Sequence, residues 1–370
     1  MRESQGRVWT GVVRVGPGAG DHRVAIRAAI AVGVPLVVLW VIGRLDLSIY
    51  ASFGAFAALY GRADAFGDRL RMQLSAGAVL LACMLVGTAM SVAAVAPLAA
   101  VAVVALLAAG ITLLAYAMRW HPPGALFAVF AAGATATIPA SLATVPLVVA
   151  VGGASTVFAL VVTAVAGLVG ARGRPAPSPR RSLQPVGALA GEMAVTVGVA
   201  AALAGVLGAL LIGSHWYWAM VGAVAATGGA HMNARVIRGL QRLLGTLLGV
   251  LVAAGILALH LPPLAIIAVA VVLQAAAELF IGRNYGIAMV FVTPLALVMV
   301  ALAAPSPVDL LLRDRVLETI IGVAAGTLVA VTSAALRRPR PAAEPVGCRG
   351  HDPGQGPIPH PGCGRRRPIR

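Results

Sequence analysis

The chain has 370 residues, of which 60% are hydrophobic and 11% are charged, and its mean hydropathy is +0.93. A water-soluble globule of this length cannot bury that much apolar surface, so the composition excludes a soluble protein and predicts a polytopic membrane protein. The net charge of +16 comes from 28 basic residues, all arginines, but these lie between apolar runs, which argues against nucleic-acid binding.

Twelve apolar runs predict an all-α fold of about 12 transmembrane helices. A helix needs roughly 20 apolar residues to cross a hydrocarbon core of about 30 Å. The second and eighth runs are short for a full crossing. Hydropathy places the helices near residues 25–43, 45–60, 74–96, 97–118, 123–143, 146–170, 186–212, 215–230, 243–261, 262–281, 285–304 and 316–336.

Arginines lie in the turns on one side of the predicted bundle. If the N-terminus is cytoplasmic, Arg44, Arg313 and Arg315 fall outside and the other arginines face the cytoplasm. This asymmetry follows the positive-inside rule and predicts that both termini are cytoplasmic. Anionic lipid headgroups are natural partners for these arginines, so the lipid bilayer is one expected partner.

The predicted order is a cytoplasmic N-terminal segment, a first transmembrane half, a Pro- and Arg-rich cytoplasmic linker, a second transmembrane half and a disordered cytoplasmic tail, over residues 1–22, 23–170, 171–185, 186–336 and 337–370. A constant offset places Gln73 opposite Gln241 and Gly77 opposite Gly245. These identities predict two parallel six-helix repeats, with a site or path at the interface between them.

Glutamates inside the spans are candidates for proton coupling, because buried charges are costly in lipid and usually face a cavity or a partner helix. Glu192 lies in the seventh span, and Glu278 lies toward the inner end of the tenth. Either carboxylate could take up and release protons during transport. The alternative is that both lie near the cytoplasmic interface and pair with arginines such as Arg283.

Arg27 lies one turn inside the first span. Its guanidinium group either binds a substrate carboxylate in a bidentate manner or extends to anionic lipid headgroups. Position along the sequence does not separate these two interpretations.

Polar residues are also concentrated around the eleventh span, where Arg283, Asn284 and Tyr285 lie at its start and Thr293 precedes Pro294. A mid-span proline frees a backbone carbonyl, which bends the helix and can expose polar backbone to a pathway. The alternative is a packing kink. The predicted substrate-binding residues are therefore Arg27, Arg283, Asn284, Tyr285 and Thr293.

No phosphate-binding loop and no catalytic arrangement is found, so the chain is predicted not to be an enzyme and to need no cofactor. The tail carries a set of four residues that could bind zinc: Cys348, His351, His360 and Cys363. Their surroundings are rich in Pro and Gly and lack an apolar core, so chance composition is the favoured interpretation and no metal site is predicted.

Short motifs over roughly residues 22–336 carry a family resemblance. They are Arg27-Ala28-Ala29 and Tyr50–Gly61 in the first half, with Tyr217-Trp218-Ala219, Arg235–Thr246, Asn284-Tyr285 and Phe291–Pro294 in the second. In their order and spacing, these motifs resemble the FUSC-type (fusaric acid resistance / aromatic acid exporter) family of integral membrane transporters.

The resemblance implies export of small organic acids, aromatic carboxylates especially, across the plasma membrane, and the analogy suggests a homodimer. Plant relatives are anion channels. We therefore predict a permease that exports small organic anions or related anionic amphiphiles. A passive anion channel and a non-transporting membrane scaffold are the alternatives.

Overall fold

The computed structural model describes residues 10–17, 21–62, 64–122, 124–169, 187–228, 232–304 and 307–336, and these contain helices and turns but no strand. In these ranges, twelve α-helices and two short 3-10 helices, Leu45–Leu47 and Phe56–Leu59, follow the N-terminal segment, which we define as residues 10–17. The α-helices are named in chain order. They are α1 (Asp21–Val41), α2 (Ser48–Ala55), α3 (Phe66–Val92), α4 (Pro97–Ala117), α5 (Leu126–Thr137), α6 (Thr144–Val169), α7 (Ala188–Leu211), α8 (Tyr217–Thr227), α9 (Met232–Ala258), α10 (Pro263–Phe280), α11 (Tyr285–Ala303) and α12 (Val308–Leu336). The predicted all-α fold is confirmed.

Within the described ranges, nine helices are long and apolar enough to cross a membrane, which confirms a polytopic membrane protein. Helices α2, α5 and α8 are shorter. The sequence predicted a full crossing over residues 123–143, but α5 ends at Thr137. Ile138 is extended, with φ −86° and ψ 126°, because the proline that follows it disfavours helical backbone at that position.

The short helices α2 and α8 lie inside the bundle, because every residue in both is buried. By contrast, only 28% of the most apolar stretch of α6, and the same share of α12, is buried. These two long helices therefore present apolar side chains to lipid, whereas α2 and α8 are surrounded by protein.

Small residues allow α12 to pack closely against α8. A Cβ added at Gly322 would collide with the Ala219 carbonyl oxygen, and one at Gly326 would lie 2.6 Å from the Ala223 carbonyl oxygen. The same kind of contact joins α2 to α6, where a Cβ at Gly54 would collide with the Gly152 carbonyl oxygen. Close backbone approach through glycine is a common way to pack membrane helices.

Several helix pairs connect the first and second halves of the chain, and two of them occupy equivalent positions: α1 packs against α10, and α4 packs against α7. Each of these two pairs joins the first helix of one predicted half to the fourth helix of the other. A two-fold repeat would produce such equivalent contacts, and the repeat itself stays a prediction. The predicted linker, the tail and its four Cys and His residues lie outside the described residues.

One predicted helix boundary is wrong. The twelfth helix was expected near residues 316–336, but α12 begins at Val308, and Arg315, which lies within it, is only 2% exposed. The charged residues of the first two turns lower the local hydropathy, so a sequence average excludes them from the span. In the bundle, Asp314 and Arg315 are buried, whereas Asp309 and Arg313 are exposed.

Candidate functional site

An open cleft of about 480 Å³ lies where the N-terminal segment meets α9 and the turn between α10 and α11. Three arginines line it, and none of the described lining residues is acidic. The lining residues are Gly11, Arg14, Gly16, Ala234, Ile237, Arg238, Gln241, Ile281, Gly282, Arg283, Asn284 and Tyr285. Because the charged groups of this described lining are all guanidinium groups, the cleft favours an anionic ligand.

Backbone and amide hydrogen bonds hold the N-terminal segment against the cleft. The Val12 carbonyl oxygen accepts a hydrogen bond from Gln241 Nε2 at 3.1 Å and another from Asn284 Nδ2 at 2.8 Å. The Gly16 N–H group donates to the Arg283 carbonyl oxygen at 3.0 Å. Asn284 also caps α11, because its Oδ1 accepts from the Ile287 N–H group at 3.0 Å.

Tyr285 joins two arginines behind the cleft opening. Arg242 Nη1 donates to the Tyr285 hydroxyl oxygen at 2.8 Å, and the guanidinium carbon of Arg238 lies 4.2 Å from the centre of the Tyr285 ring. The Nε atoms of both arginines are buried and have no hydrogen-bond partner. These N–H groups could therefore serve an anion that enters this part of the protein.

Arg27 points into the bundle and not toward lipid headgroups. It is 6% exposed, and its Nη2 donates to the Ala58 carbonyl oxygen at 3.2 Å. Arg62, Arg69 and Glu278 lie close enough to act on it electrostatically. With three arginines and one glutamate, this group of side chains carries excess positive charge.

Glu278 has a direct ionic partner in this group. Arg62 Nη1 lies 3.3 Å from Glu278 Oε2, and Arg62 also donates to the Glu278 carbonyl oxygen. The Arg62 guanidinium carbon lies 4.0 Å from the position that a Cβ on Gly282 would occupy. Because Gly282 lines the cleft, the Arg27 group adjoins it.

The structure brings some predicted site residues together and separates others. Arg283, Asn284 and Tyr285 share the cleft, and Arg27 and Glu278 lie next to it. Thr293 is buried deeper in α11 against Gly249 of α9, where an added Cβ would lie 2.7 Å from the Thr293 Cβ. Glu192 lies on the exposed side of α7.

Sequence reasoning missed a buried charged group near the start of α12, formed by Asp314, Arg315 and Glu318. Asp314 Oδ2 accepts a hydrogen bond from Ser214 Oγ at 2.8 Å and lies 3.2 Å from His215 Nδ1. The sequence did contain a signal for this group. Asp314 and Glu318 are four residues apart, and residues with that spacing lie on one face of a helix. Burial lowers the pKa of His215, although Asp314 acts in the opposite direction.

Arg315 is the member of this charged group that lies within electrostatic range of Arg242 and Tyr285. Its guanidinium carbon is 4.9 Å from the centre of the Trp218 ring. The groups close enough to act on it electrostatically are Glu318, Tyr217, Arg242 and Tyr285. Ionisable side chains therefore extend through the bundle from Asp314 to the cleft.

Comparison with known proteins agrees with the predicted resemblance. Residues 199–329 match a family described as fusaric acid resistance protein-like. No curated protein sequence and no solved structure matches the chain. The matched region includes both the second-half residues that line the cleft and the charged group of α12. This match confirms the resemblance to the FUSC-type family over residues 199–329.

Proposed function

We propose that this protein is a permease for small organic anions, with aromatic carboxylates as the preferred class. The observation that carries the proposal is the cleft, in which Arg14, Arg238 and Arg283 are the only charged residues among the described lining residues. Guanidinium groups bind carboxylates through paired hydrogen bonds. The Tyr285 ring adds an aromatic surface next to these cations.

The buried ionisable groups support transport through the bundle over binding at its surface. Arg242 lies next to Tyr285, which lines the cleft, and Arg315 lies within electrostatic range of both. Ionisable residues inside a membrane are costly and usually mark a substrate or ion pathway. Arg315 is 2% exposed and Glu318 is fully buried, so substrate access requires a change of conformation. This favours a permease that opens alternately to each side over a continuously open channel.

The predicted residues take distinct roles in this proposal. Arg283 attracts the carboxylate at the cleft, and Arg27 adds positive charge beside it. Asn284 holds the N-terminal segment, and Thr293 with Pro294 shapes the path. Export across the plasma membrane, cytoplasmic termini, a homodimer and coupling to protons are further parts of the proposal. Glu192 and Glu278 are the carboxylates that the sequence alone predicts for this coupling.

Reconstitution into liposomes tests the proposal, with labelled benzoate as the probe and protein-free vesicles as the background. We expect benzoate flux above that background. Replacing Arg238 by Gln should reduce the flux about tenfold or more, because a hydrogen bond to a charged group contributes about 1.5–3 kcal/mol. Arg44→Gln is the matched control, because Arg44 is partly exposed and pairs with Asp46 at 2.9 Å, away from the cleft.

Absence of benzoate flux above protein-free vesicles, at every imposed pH gradient, would contradict the proposal. Equal flux in the Arg238→Gln and wild-type proteins would show that the cleft is not part of the substrate pathway. Unitary currents in planar bilayers would replace the permease with an anion channel. Loss of a cellular phenotype on deletion of residues 337–370, with none on Arg283→Ala, would favour a membrane scaffold.

A further inference from the structure

Glu318 has an unusual environment for a carboxyl group. It is fully buried in α12, and neither side-chain oxygen has a hydrogen-bond partner. Arg315, one turn earlier, is the cation close enough to act on it, yet Nε and Nη1 of Arg315 also lack hydrogen-bond partners. The two side chains are thus near each other inside the membrane without a direct hydrogen bond at these atoms.

An ionised carboxyl group is poorly accommodated at such a position. Removing it from water without hydrogen-bond donors costs several kcal/mol, and the protonated group avoids most of that cost because it is neutral. When water or an anion reaches Arg315, the balance between the two forms changes. Glu318 is therefore placed to gain or lose a proton when its surroundings change.

The charged and titratable groups around Glu318 come from several elements. Arg315 and Asp314 act on it from its own helix, and Tyr217 faces it from α8. Arg315 in turn lies within range of Arg242 on α9 and Tyr285 on α11. Arg315 thus connects Glu318 electrostatically to Tyr285, which lines the cleft, and to Arg242 beside it.

We propose that Glu318 is the residue at which one proton binds and is released in each transport cycle. This inference rests on the proposed function. A carboxylate oxygen of Glu318 accepts the proton from water that enters past Ser214, His215 and Asp314, and the proton returns to water when the site opens on the other side. An anion beside Arg315 competes for the positive charge and thereby favours protonation of Glu318, so anion and proton bind together.

Transport by a neutralised variant tests the proposal. In Glu318→Gln liposomes, benzoate accumulation driven by a pH gradient should fall at least about tenfold, whereas exchange of labelled for unlabelled benzoate at equal pH should continue. Asp46→Asn is the matched control, because Asp46 is an exposed carboxylate paired with Arg44. Unchanged accumulation in Glu318→Gln would overturn the proposal, as would its loss in Glu278→Gln alone.

Carbodiimide labelling tests the wild-type protein and does not depend on a variant folding. Dicyclohexylcarbodiimide modifies protonated carboxyl groups in apolar surroundings. Trypsin should release residues 316–337 with Glu318 as the single side-chain carboxyl, and residues 243–283 with Glu278 as the single one. During benzoate transport, labelling of the first peptide should exceed that of the second about tenfold and should decrease as pH rises. No labelling, or labelling that does not change with pH, would overturn the proposal.

The two proposals fail in different ways. Without benzoate flux in the wild-type protein, the proposed function is lost. With benzoate flux that has the same pH dependence in wild-type and Glu318→Gln liposomes, the permease stands and the role of Glu318 is refuted.

Discussion

Helices α6 and α12 each end a predicted half and pack on a short buried helix, yet their interiors differ. α6 has no charged residue, and its buried polar residues are Ser155, Thr156 and Thr163. α12 instead buries Asp314, Arg315 and Glu318. Because α6 packs on α2 without charges, close packing alone does not require those of α12. The comparison therefore separates the close packing that the two helices share from the buried charges found in α12.

Disrupting the shared packing should have the largest effect. We expect Gly322→Leu to destabilise the protein by at least about 3 kcal/mol, because its side chain would meet the Ala219 carbonyl oxygen and the Gly222 Cα atom. Gly153→Leu in α6 is the control, since a Cβ there meets no atom within 4 Å. Thermal unfolding in detergent measures both. Equal melting temperatures for the two variants would disprove the close α8–α12 contact.

A charge placed in α6 tests directly whether α6 and α12 differ in their tolerance of buried charge. Thr163 is fully buried, and its hydroxyl group has no hydrogen-bond partner. Thr163→Glu should cost about 2.5 kcal/mol, because it buries a carboxyl group inside a membrane helix. Thr163→Val keeps the shape and should be neutral or stabilising. If Thr163→Glu melts at the wild-type temperature, α6 tolerates charge as α12 does, and the contrast between the helices has no functional meaning.

Low pH should destabilise the protein through His215, which contacts Asp314 near the start of α12. This effect should be smaller than those of the two substitutions above. Burial lowers the pKa of His215 below its value of about 6.5 in an unfolded chain. The unfolded state therefore binds more protons between these two values, and stability falls as pH decreases below about 6.5. His215→Gln should remove this part of the pH dependence. Identical melting-temperature profiles for wild type and variant between pH 7.5 and about 5 would show that His215 does not contribute.

The apolar runs predicted the helices well, because length and hydropathy alone distinguish a membrane helix. Two errors came from effects that averages do not capture. Pro139 ends α5 through the backbone of the preceding residue, Ile138. Arg315 was excluded from its span because charges lower hydropathy, although its neighbours in the bundle are Trp218 and other polar groups.

The candidate site was predictable where its residues are contiguous. Arg283, Asn284 and Tyr285 follow one another, so any cleft at the start of α11 brings them together. Arg238 joins them from a separate helix, and a single sequence contains no signal for that contact. The direction in which Arg27 points depends on the rotation of α1, which a nearly uniform apolar helix does not reveal.

The hydrogen bonds of the N-terminal segment determine when the cleft can form during synthesis of the chain. The Val12 carbonyl oxygen receives its hydrogen bonds from residues 229 and 272 positions later in the chain. Ribosomes make Val12 early, and the oxygen must remain hydrated until Gln241 and Asn284 have been inserted. The cleft is therefore among the last parts of the bundle to be completed. The hydrogen bond between Val12 and Asn284 can form only after α10 has been inserted.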